Sequence, residues 1–277
     1  MRYDPRQPGE RSFGTESTVK SMCTVEAVGK VRRFWEVDVA RGVALLMMAL
    51  YHTLYDLQSF GGYAIEATSG FWARFADATA FSFLFLVGVS LAIRYSREEE
   101  RQPGGSTFGK YLRRGLKVLG YGMILTLVSW SLGIGVIIFG ILHLIGVSII
   151  LAYPFLRFRL VNLILAIPLI ALGIYIQVNG VYTSGPWLLP LGILPNSPIF
   201  MPDYRPLLPW FGVVLLGLFV GKVVYGNRKR ERGSASAPRP AGPLAFLGRN
   251  SLLFYFVHQP VIIATLILFG IIKLGSL

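Results

Sequence analysis

The run Ala80–Ile93, AFSFLFLVGVSLAI, holds fourteen residues without a single charge. A longer one, Leu252–Ile272 (LLFYFVHQPVIIATLILFGII), lies near the end of the chain, and another occupies Val43–Tyr51. A helix at the surface of a soluble core keeps a polar face at a period of 3.6 residues, and these runs do not. Runs near 20 residues, at 1.5 Å per helical residue, match the ~30 Å hydrocarbon layer of a bilayer. The reading that follows is an all-α, polytopic transmembrane helical bundle. Seven spans are predicted, over 36–58, 70–95, 111–131, 136–156, 159–178, 206–225 and 247–273, with Gly61-Gly62 and Gly133-Ile134-Gly135 making tight turns. Composition agrees: 53% of the 277 residues are hydrophobic and 15% charged, against about 25% charged in soluble domains.

A net charge of +13 raises nucleic-acid binding, but the bases sit in short clusters between the apolar runs, which excludes that class of partner. Their placement is a topology signal. Residues 1–34 carry seven Lys and Arg, as does the stretch 94–117; Arg157 and Arg159 mark a third cluster, and Lys222 to Arg239 a fourth. The alternate connections hold almost none beyond Arg205 and Lys273. The N-terminus is therefore predicted to be cytoplasmic and the C-terminus outside. Residues 1–34 read as a disordered cytoplasmic arm rather than a signal peptide, and residues 35–277 as one transmembrane domain with cytoplasmic loops at 97–108 and 226–243. Charge in those loops fits attraction to anionic lipid headgroups as well as docking of a phosphorylated small molecule. Cys23 stands alone, so there is no disulfide framework, and no spacing suggests a metal.

Ionisable groups inside a bilayer need a partner, a water-filled cavity or a function. Counting from the predicted helix ends places His52, Asp77 and His143 in one layer, roughly 10 Å below the outer surface. They read either as a structural tie between helices or as a reactive cluster. Arg41 and His52 are eleven residues apart on one helix face, about 16 Å along the axis. Asp38 can pair with Arg41 at i,i+3, and Asp56 can orient the His52 imidazole at i,i+4. In the last span, Asn250 and Ser251 sit near the cytoplasmic entrance and His258 near the midplane, where Pro260 frees a backbone carbonyl. Asp203, in the longest outer connection, stands at the mouth as a rim salt-bridge partner or part of a lid.

The segment Arg33-Phe-Trp-Glu-Val-Asp38-Val-Ala-Arg41-Gly42 through His52 resembles the opening of the heparan-α-glucosaminide N-acetyltransferase catalytic-domain family. Similar blocks are Phe139–Ser148, Asp203–Gly212 and Leu247–Pro260. The Arg-to-His spacing is also similar to that of the wider transmembrane acyltransferase superfamily. The resemblance spans roughly residues 32–265 and implies a prokaryotic member in the cytoplasmic membrane. It implies an acyltransferase using acetyl-CoA from the cytoplasm, with a sugar or glycan hydroxyl or amine as acceptor on the far side. On this reading Arg41, Asp38, Arg113, Arg114 and Asn250 meet the donor. His52, Asp77 and His143 do the chemistry, and Asp56, His258 and Asp203 face the acceptor. The chain departs from the animal enzyme in having Glu66-Ala67 where that enzyme has a luminal His, which weakens heparan as the acceptor. The expected partners are membrane lipids, acyl-CoA and the glycan, with a homodimer compatible with so small a bundle. The rival class is a small-solute or proton-coupled transporter using the same buried polar groups.

Overall fold

A computed structural model describes residues 34–133, 135–196, 201, 203–226 and 238–272. Within them lie the helices α1 Trp35–Ser59, α2 Gly70–Arg101, α3 Phe108–Ser131, α4 Ile141–Leu151, α5 Leu160–Asn179, α6 Leu207–Tyr225, α7 Gly242–Arg249 and α8 Ser251–Leu268. Two-residue strands, β1 Tyr182–Thr183 and β2 Leu194–Pro195, pair in parallel in the connection between α5 and α6. The expected arm at 1–34 falls almost wholly outside the described residues, as do residues 227–237 of the expected loop at 226–243.

Five helices (α1, α2, α5, α6 and α8) are long and apolar enough to cross a membrane. The 24-residue α3 reaches about 36 Å, but its first half carries Lys110, Arg113, Arg114 and Lys117. Leu46, Leu127, Ile164, Ile167, Val178 and Leu253 all point outward with large exposed areas. A monomer in water does not present apolar surface on that scale. The protein is an integral membrane protein.

Three expected elements differ from those observed. The span predicted at 136–156 is the shorter α4, bracketed by the extended Gly140 before it and a 3-10 turn containing Pro154 after it. Eleven residues rise only about 16 Å, roughly half the hydrocarbon layer. The irregular backbone leading into α4 is satisfied from α3: Thr126 Oγ1 donates to the Ile137 carbonyl and Ser129 Oγ to that of Gly135, both at 2.6 Å. Such backbone survives at membrane depth only where protein or trapped water completes its hydrogen bonds. Second, α2 continues to Arg101, helped by the i,i+4 pair Arg94–Glu98 at 3.0 Å, so its connection to α3 is 102–107 instead of 97–108. Third, the span predicted at 247–273 is broken at Asn250, whose Nδ2 donates to the Phe246 carbonyl at 3.0 Å. A side chain competing for a helical carbonyl favours such a break, and α7 takes up residues that were expected to be loop.

The interior is built around α6, which packs against α2 on one side and α5 on the other. Leu84 of α2 and Val214, Leu215 and Leu218 of α6 have no exposed surface. The α2–α6 crossing is set by small residues: a Cβ on Gly88 would strike the Val214 carbonyl, and one on Gly217 the Phe85 carbonyl. The N-terminal part of α1 meets α7 in the same manner, Gly42 against the Leu244 carbonyl and Gly248 against that of Asp38.

Candidate functional site

Two polar clusters lie on α1, one towards each end. At the N-terminal end the Asp38 carboxylate, 5% exposed, accepts from two guanidiniums, Arg41 Nη1 at 3.4 Å and Arg249 Nε at 3.2 Å. Arg41 also donates to Ser90 of α2, whose hydroxyl in turn bonds the Leu86 carbonyl. Arg114 stands within electrostatic reach of both Arg94 and Arg41, and Arg94 lies over the Tyr111 ring at 5.7 Å. Beside them opens a cleft of about 460 Å³ lined by Arg94, Glu98, Arg101, Gln102 and Lys110. Arg113 is exposed on α3, and Asn250 is occupied with the α7–α8 break. Planar guanidiniums in such number suit phosphate oxygens, which they grip bidentately.

The other cluster gathers at the C-terminal half of α1. His52 meets His258 of α8, ring centroids 5.0 Å apart at 64°, and Tyr51 approaches His52 edge-on at 5.8 Å. The next residue of α8, Gln259, donates its amide to both oxygens of Asp56 at 2.9 Å. That fully buried carboxylate therefore does not orient His52, as the i,i+4 spacing suggested; it ties α8 to α1.

The loop ahead of α6 reaches the same cluster through Tyr255 of α8, whose ring lies 5.7 Å from that of His258. Asp203 Oδ2 accepts the Ile141 N–H at 3.2 Å, at the start of α4, and the Tyr255 hydroxyl at 3.3 Å. Its φ of 55° is, among the described residues, the one positive value outside glycine, a strain that persists only when neighbours hold it. Gly140 makes room, since a Cβ there would sit 2.8 Å from Asp203 Oδ2. Part of Asp203 faces open space, yet its surroundings strip hydration. That raises its carboxyl above the ordinary pKa range against the pull of Arg205, the Ile141 N–H and Tyr255. Two residues on, the Arg205 backbone N–H donates to the Phe139 carbonyl at 2.9 Å. Its guanidinium pairs with Asp77 at 3.1 Å and lies over Trp210 at 5.3 Å.

Of the residues expected to react together, His52 and Asp77 both come within electrostatic reach of Arg205. Among the described residues no hydrogen bond joins Asp77 to either imidazole. His143 is placed by other contacts: its Nδ1 accepts the Gly140 N–H at 3.3 Å, and its ring lies against Gly122. The sequence reading set Arg205 at the mouth beside Asp203 but left it, with Tyr255, Gln259 and Arg249, out of the expected site. Arg205 carried the one usable signal, a cation among connections that hold almost none. Among the described residues no group of three His, Cys, Asp or Glu is placed to hold a metal.

Asp77 is 58% exposed on its side chain and Arg205 25%, and pairs of that kind contribute about 0.2–1 kcal/mol. Asp77→Asn should therefore lower the unfolding free energy by less than ~1 kcal/mol in a denaturant titration; a larger loss would mean the pair is a structural clamp.

The family model for the catalytic region of heparan-alpha-glucosaminide N-acetyltransferase matches residues 33–260, well over half of the chain. The chain belongs to this family. Searches of curated proteins and of solved structures found no match. The heparan-alpha-glucosaminide N-acetyltransferase family is one of membrane acetyltransferases, and its matched region begins just ahead of Asp38 and Arg41 and ends just past the His258-Gln259 pair. Both polar clusters on α1 thus lie inside the shared domain.

Proposed function

We propose that the protein takes an acyl group, acetyl in the first instance, from acyl-CoA at the cytoplasmic face and delivers it to a hydroxyl or amine on the other side, carried by a sugar. The observation that carries this is the layout of α1: a knot of guanidiniums at one end and two imidazoles at the other, eleven residues along from Arg41 to His52. The orientation, with the N-terminus in the cytoplasm, rests on the distribution of Lys and Arg, and a prokaryotic source on the resemblance of the opening block.

The donor's phosphates sit on Arg41, Arg94 and Arg114, with the neighbouring cleft available to its nucleotide. The pantetheine arm, comparable in length to the Arg41–His52 interval, runs along α1 and brings the thioester to the recess. The α3 wall of that path carries Lys117, stacked on Tyr121 at 5.8 Å, and Tyr121 meets Phe256 of α8 edge-on at 5.6 Å. At the recess an imidazole takes the acceptor's proton as its oxygen or nitrogen attacks the thioester, while the Asp203 loop limits water and so hydrolysis. The acceptor enters past Asp77 and Arg205.

Acetyl-CoA at about 100 times its dissociation constant should stabilise the detergent-solubilised protein by about 2.7 kcal/mol, seen as a higher melting temperature. Arg41→Lys should blunt that shift, because a Lys ammonium cannot reproduce the fork that meets Asp38 and the phosphates. No shift at any acetyl-CoA concentration, together with solute flux in sealed vesicles without a donor, would refute the enzyme and favour a transporter.

A further inference from the structure

Two imidazoles meet between α1 and α8, and their surroundings distinguish them. His258 Nδ1 lies 2.7 Å from the carbonyl oxygen of Tyr255, one turn earlier on α8. A carbonyl only accepts, so Nδ1 carries the hydrogen and the lone pair of the neutral ring sits on Nε2. That Nε2 is buried and has no hydrogen-bond partner in the protein. A buried acceptor left empty is costly unless something arrives to fill it. His143 is the opposite tautomer: its Nδ1 accepts the Gly140 N–H, so its buried, unpartnered Nε2 bears a hydrogen and can only donate. Among the described residues His52 makes no hydrogen bond that sets its tautomer.

We infer that His258 Nε2 is the general base of the transfer, with His52 as the ring beside it and Tyr255 and Asp203 as positioning residues. The assignment rests on the acyltransferase reading and reverses the expectation that His52 is the base. Tyr255 is held at both ends, its hydroxyl donating to Asp203 and its carbonyl accepting from His258, so the loop before α6 aims the base through α8.

In the step itself the acceptor X–H gives its proton to His258 Nε2. The freed pair on X attacks the thioester carbonyl carbon, whose π electrons move to oxygen. Collapse of the tetrahedral adduct reforms the carbonyl and breaks the carbon–sulfur bond. The proton on Nε2 then passes to the CoA sulfur, returning His258 to its starting tautomer and leaving the acylated acceptor and CoA–SH.

The test uses the full chain in nanodiscs and follows protein-dependent CoA release from acetyl-CoA, above a protein-free blank, with a methyl glucoside or with hydroxylamine as acceptor. A glucoside hydroxyl must be deprotonated as it reacts, whereas hydroxylamine attacks as a free amine without help. His258→Gln should cut release with the glucoside by about 100-fold or more and leave the hydroxylamine rate nearly that of the parent, with acetyl-CoA binding intact. A His258→Gln protein as active as the parent on the glucoside, or one that hydroxylamine fails to rescue, overturns the assignment. If His52→Gln shows the pattern instead, His52 is the base. A parent that releases no CoA with either acceptor overturns the acyltransferase reading as well. Nitrogen-15 NMR of histidine-labelled protein adds a readout independent of turnover, because the chain has three histidines. His258 should show a protonated Nδ1 and a bare Nε2, and the reverse tautomer would also overturn the assignment.

Discussion

Replacing Gly217 with valine should leave little folded protein to purify. A Cβ at that position falls on the Phe85 carbonyl of α2, while one on Gly221 would lie 2.7 Å from the Ala92 Cβ and 2.9 Å from the Val89 Cα. Gly88 faces the same crossing from the other helix, against the Val214 carbonyl. The obstacle is backbone, which cannot rotate away as a side chain can. Overpacking usually costs about 1–3 kcal/mol, and here relief requires α2 and α6 to separate along the best-buried contact of the bundle. The loss should reach or exceed the top of that range, against a total stability of about 5–15 kcal/mol. Gly109→Ala and Gly120→Ala on α3 are the matching controls, because a Cβ at either meets open space and alanine is the better helix former by about 1 kcal/mol. Thermal unfolding in detergent should separate the two classes clearly; a Gly217→Val protein melting within about 2 °C of the parent, a shift worth ~1 kcal/mol or less, would refute the close crossing.

Asp38→Ala should produce the next largest loss. One carboxylate holds Arg41 and Arg249, and its removal takes that counter-charge from both cations at once. Removing one member of a fully buried pair costs about 3–5 kcal/mol. The guanidiniums here keep 25% and 46% of their side-chain surface, so solvent recovers part of that, and about 2 kcal/mol is expected. The double change Asp38→Ala with Arg249→Ala should be milder than the sum of the two single changes, because Arg41 then no longer faces the Arg249 charge across the gap. Strict additivity would mean that Asp38 and Arg249 are not coupled.

How much of this was legible in the chain depends on the distance over which each feature is written. Long uncharged runs such as Ala80–Ile93 declare a helix in lipid by themselves, and the Asp38–Arg41 pair follows from i,i+3 spacing on one helix. Helix ends were harder. The break at Asn250 and the short α4 depend on local hydrogen bonds that an apolar run conceals, and Arg94–Glu98 lengthens a helix that composition had ended.

Rotation about each helix was not legible. Counting along each helix put His52, Asp77 and His143 at one level, yet which faces meet is decided by packing between helices. Asp56 shows the difference: four residues from His52, it is claimed by Gln259, 203 positions away. His258 met His52 and Arg205 met Asp77 for the same reason, through crossings that no periodicity within one segment encodes.

The two ends of α1 are fastened unequally. Near Asp38 its main chain touches α7 directly through Gly42 and Gly248 and is bridged by a shared carboxylate, whereas near His52 it is tethered to α8 through one amide and one edge-on ring pair. A rod clamped at one end and leashed at the other pivots about the clamp. Breathing of the bundle should therefore be concentrated where the two imidazoles meet, with amide exchange fastest in α8 and slowest at the glycine seam. The Asp38 end can then stay rigid while the opposite end opens and closes.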